Sequence, residues 1–276
     1  MMKTIKITYT SSAGYEVDLK AAPVHIKSAN FHNYAWKREK VALRYGETVT
    51  GFYKAAQTYQ TTLYFEPDPE LIDTIHGEWE RDVLTQRPGR ITWNGQYIEC
   101  FISSSSTYPT AGNAFVANEC EIYCPDPFWI KETAFEFAAG TETGDYLDYP
   151  YGYDYDFGSA VSGRRRLLWG FERGRVAFKA VIHGPCSAPA FTIAGREYGA
   201  DVVLQEGETL TIDTRASAPT GEQVYTTSAG QKANVFYART GEIAPFIADE
   251  YGTLVWPQTF ALTLNIYMGR SEPSWT

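Results

Sequence analysis

The chain has 276 residues, with 24 Lys and Arg against 33 Asp and Glu, so its formal net charge at pH 7 is −9. Hydrophobic residues make up 44% and aromatic residues 15%, which excludes a disordered chain, and four cysteines are too few for a disulfide-built scaffold. An acidic chain is also a poor binder of nucleic acid or anionic membranes, because neutralising phosphates requires a basic surface. We therefore expect a packed protein of one large domain or two smaller ones.

The chain shows no targeting or membrane pattern. Ile5, Ile7 and Tyr9 alternate with polar residues, which predicts a strand and not the continuous apolar core of a signal peptide. No stretch approaches the ~20 apolar residues of a membrane span. We therefore expect a protein that is made in the cytosol and keeps its cysteines as free thiols in or near the core. These cysteines are Cys100, Cys120, Cys124 and Cys186.

One helix is predicted in the first half of the chain. Asp68 can cap its start, and Pro69 suits the first helical position, where a missing N–H costs nothing. Residues 87–89, Arg-Pro-Gly, end the helical pattern. The apolar stripe at helical spacing consists of Leu71, Ile72, Ile75, Trp79 and Val83.

The rest of the first half is predicted to be β-structure. Asn94-Gly95 lies between two β-prone runs, and both residues accept the positive φ angles of a tight hairpin turn. Residues 97–102 carry apolar side chains on both faces, which predicts a covered strand. Residues 115–123 form another long β-prone run.

The second half, from about residue 171, contains short β-prone runs and no pattern typical of a helix. The main runs are 176–182, 190–194, 209–213 and 260–267. Short strands with turns at this spacing are typical of an antiparallel sandwich or jelly roll. The predicted fold class is therefore mainly β.

The segment 139–170 between the two halves differs in composition. It is rich in tyrosine, aspartate and turn residues, and it ends near three consecutive arginines. Tyrosines offer large rigid contact surfaces and arginines match carboxylates geometrically, so one interpretation is an interface with a neighbouring domain or copy. The alternative is an irregular loop whose rings cover its own domain. The interface candidates are Tyr149, Tyr151, Tyr153, Tyr155, Arg164, Arg165 and Arg166.

Patterns that carry catalysis or metal binding are mostly absent. The chain has no glycine-rich phosphate loop, no GxSxG elbow and no HExxH sequence. Cys120 and Cys124 are a close pair without the further ligands of a zinc tetrahedron, and the acids around Asp154 lack the spacing of a calcium loop. His76 is expected to pack beside the helix, with a catalytic base as the less favoured alternative. We therefore predict no catalytic residue, no metal and no cofactor.

The end of the first half resembles a known family. Pro125-Asp126-Pro127-Phe128-Trp129 resembles the Asp-Pro-Phe-Trp closure of the N-terminal domain in the distal tail proteins (Dit) of long-tailed, non-contractile bacteriophages (siphophages) and related prophages. The tyrosine-rich linker, the strand ending at Gly184-Pro185 and the segment 206–213 are similar to that family in the same order along the chain.

The resemblance implies two domains and a structural role. Residues 1–138 would form an N-terminal belt domain, sheet-like or barrel-like with one helix. Residues 139–170 would be a linker, and residues 171–276 a galectin-like antiparallel β-sandwich. Members of the family form a hexameric ring that joins the tail tube to the tail-tip hub, serves as a docking platform for host-adhesion proteins and lets the genome pass through its lumen.

The resemblance also implies the partners and the place of the protein. The partners are further copies in a homo-hexamer, the tail tube protein, a hub protein similar to tail-associated lysins, the tape measure protein and a receptor-binding protein. The place is the tail tip of the virion, after assembly in the host cytoplasm. Six copies of an acidic chain would repel DNA from the lumen wall, and we expect neither sequence-specific nucleic acid binding nor membrane insertion.

We interpret Pro125 to Trp129 as a rigid structural corner, whose Phe128 and Trp129 pack at the base of the belt domain. Two other functions stay open. A β-sandwich with exposed Trp and Tyr could bind carbohydrate as a host-recognition module of the tail tip, although fold alone does not indicate sugar binding. An enzyme acting on cell-wall glycan is the weaker alternative, because a pair of acids close in space leaves no sequence pattern but no nucleophile and base are recognisable.

Overall fold

The computed structural model describes residues 5–110, 114–140, 164–170, 173–215, 218, 221–248 and 251–275. The chain divides into two units. Unit 1 comprises residues 1–131 and 269–276, and unit 2 comprises residues 132–268. The chain therefore enters unit 2 once and returns to unit 1 for its last residues.

Among the described residues, unit 1 contains a single helix, α1 (Pro69–Thr85). Its strands are β1 (Ile7–Thr10), β2 (Glu16–Asp18), β3 (Val24–Ala29), β4 (Lys37–Ala42), β5 (Glu47–Tyr53), β6 (Gln57–Phe65), β7 (Gly89–Trp93), β8 (Gln96–Pro109), β9 (Val116–Cys124) and the start of β10 (Trp129–Phe137).

Seven strands of unit 1 form a continuous antiparallel ladder in the order β2-β1-β7-β8-β9-β6-β3. β8 joins the two halves of this ladder, because residues 96–100 pair with β7 and residues from Phe101 onward pair with β9. The turn between β7 and β8 is Asn94-Gly95, with φ angles of 48° and 80°, as its sequence predicts. Ile26 of β3 donates its N–H to the carbonyl of Leu19 at 2.6 Å, which brings the far end of the ladder back beside β2 and makes the unit barrel-like.

The helix α1 begins as its sequence predicts. The carboxylate of Asp68 accepts hydrogen bonds from the N–H groups of Glu70 and Leu71 at 3.1 and 3.2 Å, which satisfies donors that have no partner inside the helix. The helix ends at Gln86, whose φ of 54° is left-handed and stops further helical hydrogen bonding.

The buried side of α1 differs from the predicted stripe at one position. Ile75 and Trp79 are buried, but Val83 is exposed and its neighbour Asp82 is fully buried. The prediction for Val83 was wrong because the sheet presents a polar group at that place. The hydroxyl of Tyr9 donates to the Asp82 carboxylate at 2.5 Å, so the acid is the residue that faces inward.

Unit 2 contains the rest of β10, a 3-10 helix (Phe236–Ala238) and the remaining strands. These strands are β11 (Arg164–Trp169), β12 (Gly174–His183), β13 (Cys186–Ser187), β14 (Ala190–Ile193), β15 (Arg196–Ala200), β16 (Val203–Leu204), β17 (Thr209–Asp213), β18 (Val224–Ser228), β19 (Gln231–Asn234), β20 (Arg239–Thr240), β21 (Phe246–Ala248), β22 (Gly252–Trp256) and β23 (Ala261–Arg270). The last two residues of β23 belong to unit 1.

The strands of unit 2 form an antiparallel sandwich. One sheet has the order β19-β18-β17-β12-β23-β10, with β21 beside the start of β12, and the other has the order β11-β22-β14-β15-β20. Phe178 of β12 contacts Phe191 of β14 and Tyr198 of β15, at ring-centroid distances of 6.0 and 4.7 Å, so the core lies between the two sheets. The predicted fold class, mainly β with a helix in the first half and a sandwich in the second, is confirmed.

Two segments lie elsewhere than their sequence predicts. Residues 164–169, assigned to the linker, form β11 of the sandwich and pair with β22. Residues 269–276, assigned to the sandwich, belong to unit 1, where the N–H of Ser274 donates to the side chain of Gln96 at 2.9 Å. Both placements depend on contacts between residues far apart in the chain.

Candidate assembly surfaces

The corner of residues 125–129 connects β9 to β10. Trp129 is fully buried, with its ring packed edge to face on Phe31 at a centroid distance of 5.5 Å, and its indole N–H donates to the hydroxyl of Tyr59 at 3.4 Å. Burial raises the pKa of Tyr59 to about 12, although the hydrogen bond from Trp129 acts in the opposite direction. Phe128 is only half-buried, so the corner has an inner aromatic side and an outer one.

Lys54 packs on the outer side of this corner. Its Nζ donates to the carbonyl of Pro127 at 2.7 Å and to the carbonyl of Ser271 at 3.3 Å, and it lies 4.9 Å from the centroid of the Phe128 ring. Burial lowers the pKa of Lys54, and the negative charge of Asp126 acts in the opposite direction. A single ammonium group thus joins the corner to the C-terminal segment, residues 269–275.

Strands β4 and β5 form a hairpin, residues 37–53, that is separate from the ladder of unit 1. Within the described residues these strands pair only with each other, from Lys37 opposite Tyr53 to Ala42 opposite Glu47. Every residue of β4 is exposed, and every residue of β5 except the partly buried Gly51. A two-stranded hairpin with both faces in water is marginally stable by itself.

This hairpin carries large apolar side chains on both faces and at its turn. They are Val41, Leu43, Tyr45, Val49, Phe52 and Tyr53. Phe52 and Val49 share one face, because they pair with Arg38 and Lys40, two residues apart on β4. Phe52 is 65% exposed, and Tyr45 at the turn is 83% exposed. Clustered exposed apolar side chains of this kind mark interaction sites.

The interface candidates from the sequence lie in two places. The tyrosines are outside the described residues; they are Tyr149, Tyr151, Tyr153 and Tyr155. The arginines Arg164, Arg165 and Arg166 open β11, which pairs only with β22 in the part of the chain that the structure describes and is therefore an edge strand there. Arg166 is exposed. A role for these residues at an interface stays a prediction.

A polar cluster lies where α1 meets β8 and β9. The side-chain amide nitrogen of the buried Asn118 lies 3.1 Å from Nε2 of His76 and 2.7 Å from the hydroxyl oxygens of both Ser105 and Thr107. The thiol of Cys120 donates to the amide oxygen of Asn118. Burial lowers the pKa of His76. His76 therefore packs at the contact between helix and sheet, within a cluster that satisfies a buried amide.

The cysteines are free thiols, three of them buried and Cys186 half-buried. The neighbouring thiol of Cys124 and burial raise the pKa of Cys100. Burial also raises the pKa of Cys120 to about 12. At neutral pH the thiols of Cys100 and Cys120 are therefore protonated, and a protonated thiol is a poor nucleophile.

The described residues contain neither a metal site nor a membrane helix. No group of three or more His, Cys, Asp or Glu side chains in this part of the chain could hold a metal ion. None of its helices has the length and apolarity needed to cross a membrane.

The chain matches no protein-family model, and no curated protein matches it. Solved structures do match. The Dit protein of phage SPP1, described as a paradigm of the hub adsorption apparatus in phages that infect Gram-positive bacteria, aligns with a TM-score of 0.59 and 11% sequence identity. The alignment covers 97% of this chain and 100% of the Dit chain. This chain has the fold of a phage distal tail protein.

Two structures of the phage p2 baseplate show the same similarity. A chain of that baseplate in its activated conformation with calcium aligns with a TM-score of 0.64 and 9% identity, over 98% of this chain and 100% of the baseplate chain. The activated baseplate with strontium contains a chain that aligns with a TM-score of 0.64 and 10% identity, over 98% of this chain and 100% of the baseplate chain. The resemblance to the Dit family, first seen in short sequence patterns, is thus confirmed in the fold of almost the whole chain.

Neither the hairpin nor Lys54 was predicted from the sequence to be part of an assembly surface. Apolar residues recur through 41–53 with Gly46 at the turn, and this pattern could have predicted a hairpin but not the exposure of its apolar side chains. The contacts of Lys54 join it to Pro127 and Ser271, which lie far from it in sequence. No local pattern connects these residues.

Proposed function

We propose that this protein is a structural component of a phage tail baseplate, a distal tail protein that assembles into a hexameric ring between the tail tube and the tail-tip hub. The observation that carries the proposal is the extent of the fold similarity. The alignments cover 97% and 98% of this chain and the full length of both the SPP1 Dit chain and the p2 baseplate chain, so neither unit is left without a counterpart.

The exposed hairpin supports an assembly role. Its apolar side chains gain stabilisation from burial only if another surface covers them. A ring is closed by one contact repeated around an axis, in which one surface of each copy meets a different surface of the next. A hairpin that projects from the ladder is suited to reach such a neighbour, and its unpaired outer strand edges offer backbone donors and acceptors as well.

The proposed position of the ring in the tail implies the further partners of the protein. We propose that it contacts the tail tube protein, the tape measure protein, a lysin-like hub protein and a receptor-binding protein at the tail tip of the virion. The chain carries a net charge of −9, so a ring of six copies is strongly acidic. An acidic lumen repels the DNA backbone and lets the genome pass without sticking.

The test is the size and symmetry of the purified full-length protein, measured by mass photometry and negative-stain imaging. We expect a six-fold ring with six times the 31.0 kDa mass of the chain. Tyr45→Ser is expected to raise the protein concentration needed for ring formation by about tenfold or more, since loss of one hot-spot side chain costs about 1.4 kcal/mol or more at each contact between copies. A wild-type protein that stays monomeric at every concentration contradicts the proposal.

Tyr237→Ser is the matched control for that variant. Tyr237 in unit 2 is 84% exposed, against 83% for Tyr45, and the chemical change is the same. The ring fraction should be unchanged in this variant. Equal losses in both variants would point to a general effect of removing a tyrosine and not to a contact made by the hairpin.

The same protein also tests the carbohydrate-binding alternative. Both tryptophans of unit 2, Trp169 and Trp256, are buried, so they are not available to stack on a sugar ring. Tyr237 and Tyr251 are exposed. Binding of the full chain to a glycan array, lost on Tyr237→Ser or Tyr251→Ser, would favour a host-recognition role for unit 2.

A further inference from the structure

The hairpin of residues 37–53 lacks ladder hydrogen bonds to the rest of unit 1. In the described part of the chain, β4 and β5 pair only with each other. Short connections, residues 30–36 and 54–56, join them to β3 and β6. The direction in which the hairpin leaves the unit must therefore be set by side chains at its base.

Lys54 is the first residue after the hairpin, and its contacts reach both of these connections. Besides the carbonyls of Pro127 and Ser271, its ammonium lies 5.6 Å from the ring centroid of Tyr34 and 6.0 Å from that of Trp36. Trp36 precedes β4 directly, and its ring meets the Phe128 ring edge to face at 6.2 Å. The charge of Lys54 therefore lies close to both connections, and also to the corner and to the C-terminal segment.

The C-terminal segment contacts the entry side of the hairpin as well. The ring of Trp275 stacks on His32 at a centroid distance of 3.8 Å with an interplanar angle of 12°, and it meets Trp93 edge to face at 5.9 Å. Ser274 is hydrogen bonded to Gln96. The segment that supplies the Ser271 carbonyl to Lys54 is thus itself anchored to the ladder.

We propose that Lys54 is a positioning residue that fixes the direction of the hairpin, so that the hairpin is preorganised to meet a second copy of this chain. The identity of that partner rests on the proposed function. A charged donor makes stronger hydrogen bonds to carbonyls than a neutral one, and a cation is attracted to the faces of aromatic rings. The ammonium of Lys54 therefore orders the base of the hairpin, where ladder hydrogen bonds to the rest of unit 1 are lacking. Preorganisation favours assembly because a hairpin that is already ordered loses less conformational entropy when it binds.

The first measurement is the distance between two spin labels in unit 1, attached through Arg44→Cys at the hairpin turn and Glu80→Cys on α1, with Cys186→Ser. The measurement is made on dilute protein that also carries Phe52→Ser, so that the chains stay unassembled. We expect Lys54→Met to broaden the distance distribution at least twofold. Lys54→Met keeps the length of the aliphatic chain and removes the charge. Lys54→Arg keeps a charged donor and should restore a narrow distribution.

Lys40→Met is the matched control, because Lys40 lies on the exposed hairpin and its ion pair is with Glu47 of the same hairpin. It should leave the distribution unchanged. An unchanged distribution in Lys54→Met, or a broadening of the same size in Lys40→Met, overturns the positioning role.

The second measurement is ring formation by Lys54→Met and Lys54→Arg without labels and with the native Phe52. We expect Lys54→Met to raise the protein concentration needed for ring formation about tenfold, which is about 1.4 kcal/mol, and Lys54→Arg to leave it nearly unchanged. A broadened distribution with an unchanged ring fraction overturns the link to assembly. If the wild-type protein forms no ring at all, the proposed function fails, while the label distances still test whether Lys54 orders the hairpin.

Discussion

Two groups of aromatic residues in unit 1 have opposite surroundings. Phe31, Tyr59 and Trp129 are fully buried around the corner, whereas Tyr45 and Phe52 on the hairpin are exposed. The buried rings remove apolar surface from water within one chain, which stabilises its fold. The exposed rings gain the same stabilisation only when another surface covers them. Residues of one chemical type therefore serve folding in one region and are available for assembly in the other.

The sharpest test of this difference is Trp129→Ala. We expect it to lower the free energy of unfolding by about 3–5 kcal/mol, because it leaves a cavity among packed rings and removes the donor to Tyr59. Denaturant unfolding followed by tryptophan fluorescence and circular dichroism measures the loss. Tyr45→Ala on the hairpin is the comparison, and an equal loss in both variants would contradict the distinction between the two regions.

A smaller effect on folding is expected from Tyr9→Phe, which keeps the ring beside Trp79 and removes the hydroxyl that donates to Asp82. Asp82 is fully buried, and within the described residues its carboxylate then keeps only the hydrogen bond from the N–H of Ser12 at 2.9 Å. The expected loss is about 1.5–3 kcal/mol, as for other hydrogen bonds to charged groups. Tyr123→Phe, at an exposed tyrosine, should change the free energy of unfolding by less than about 0.5 kcal/mol.

A weaker, pH-dependent effect is expected at His76, since its imidazole is only partly buried. Burial holds its pKa in the folded state below the usual value of about 6.5. As the pH falls through about 6.5, the unfolded chain takes up this proton before the folded chain does, so stability falls. Unfolding measured between pH 7 and pH 5 should show a shallower decline in His76→Gln than in the wild type. Identical slopes would mean that His76 does not titrate differently on folding.

The smallest effect on folding is expected from Tyr45→Ser on the hairpin. Its ring is mostly in water, so the free energy of unfolding of the dilute protein should change by less than about 0.5 kcal/mol. The same variant should nevertheless lose most of the ring fraction. A large loss of stability in this variant would show that the hairpin supports the fold of unit 1, and the two regions would then not differ in role.

Local patterns predicted the elements whose causes are local. Asp68 and Pro69 start α1, Asn94-Gly95 turns β7 into β8, and the runs of unit 2 become strands of a sandwich. The prediction failed at Val83, because helical spacing alone does not show that the sheet offers the hydroxyl of Tyr9 to its neighbour Asp82.

Less of the candidate site than of the fold could be predicted from the sequence. The Asp-Pro-Phe-Trp pattern pointed to the corner, and Trp129 is buried there, but the hairpin was not singled out. Its apolar residues look like those of a covered strand, and only the strand pairing shows that both faces lie in water.

Composition, periodicity and turn residues were enough to predict a mainly β, acidic chain with a helix in its first half, because each of these depends on residues close together in the chain. The tertiary structure decided which side of α1 is buried, that residues 269–275 return to unit 1, and that Lys54 lies among Tyr34, Trp36 and Phe128. These features join residues up to 217 positions apart, as Lys54 and Ser271 are. Contacts over such separations form only when the whole chain packs, so no local pattern records them.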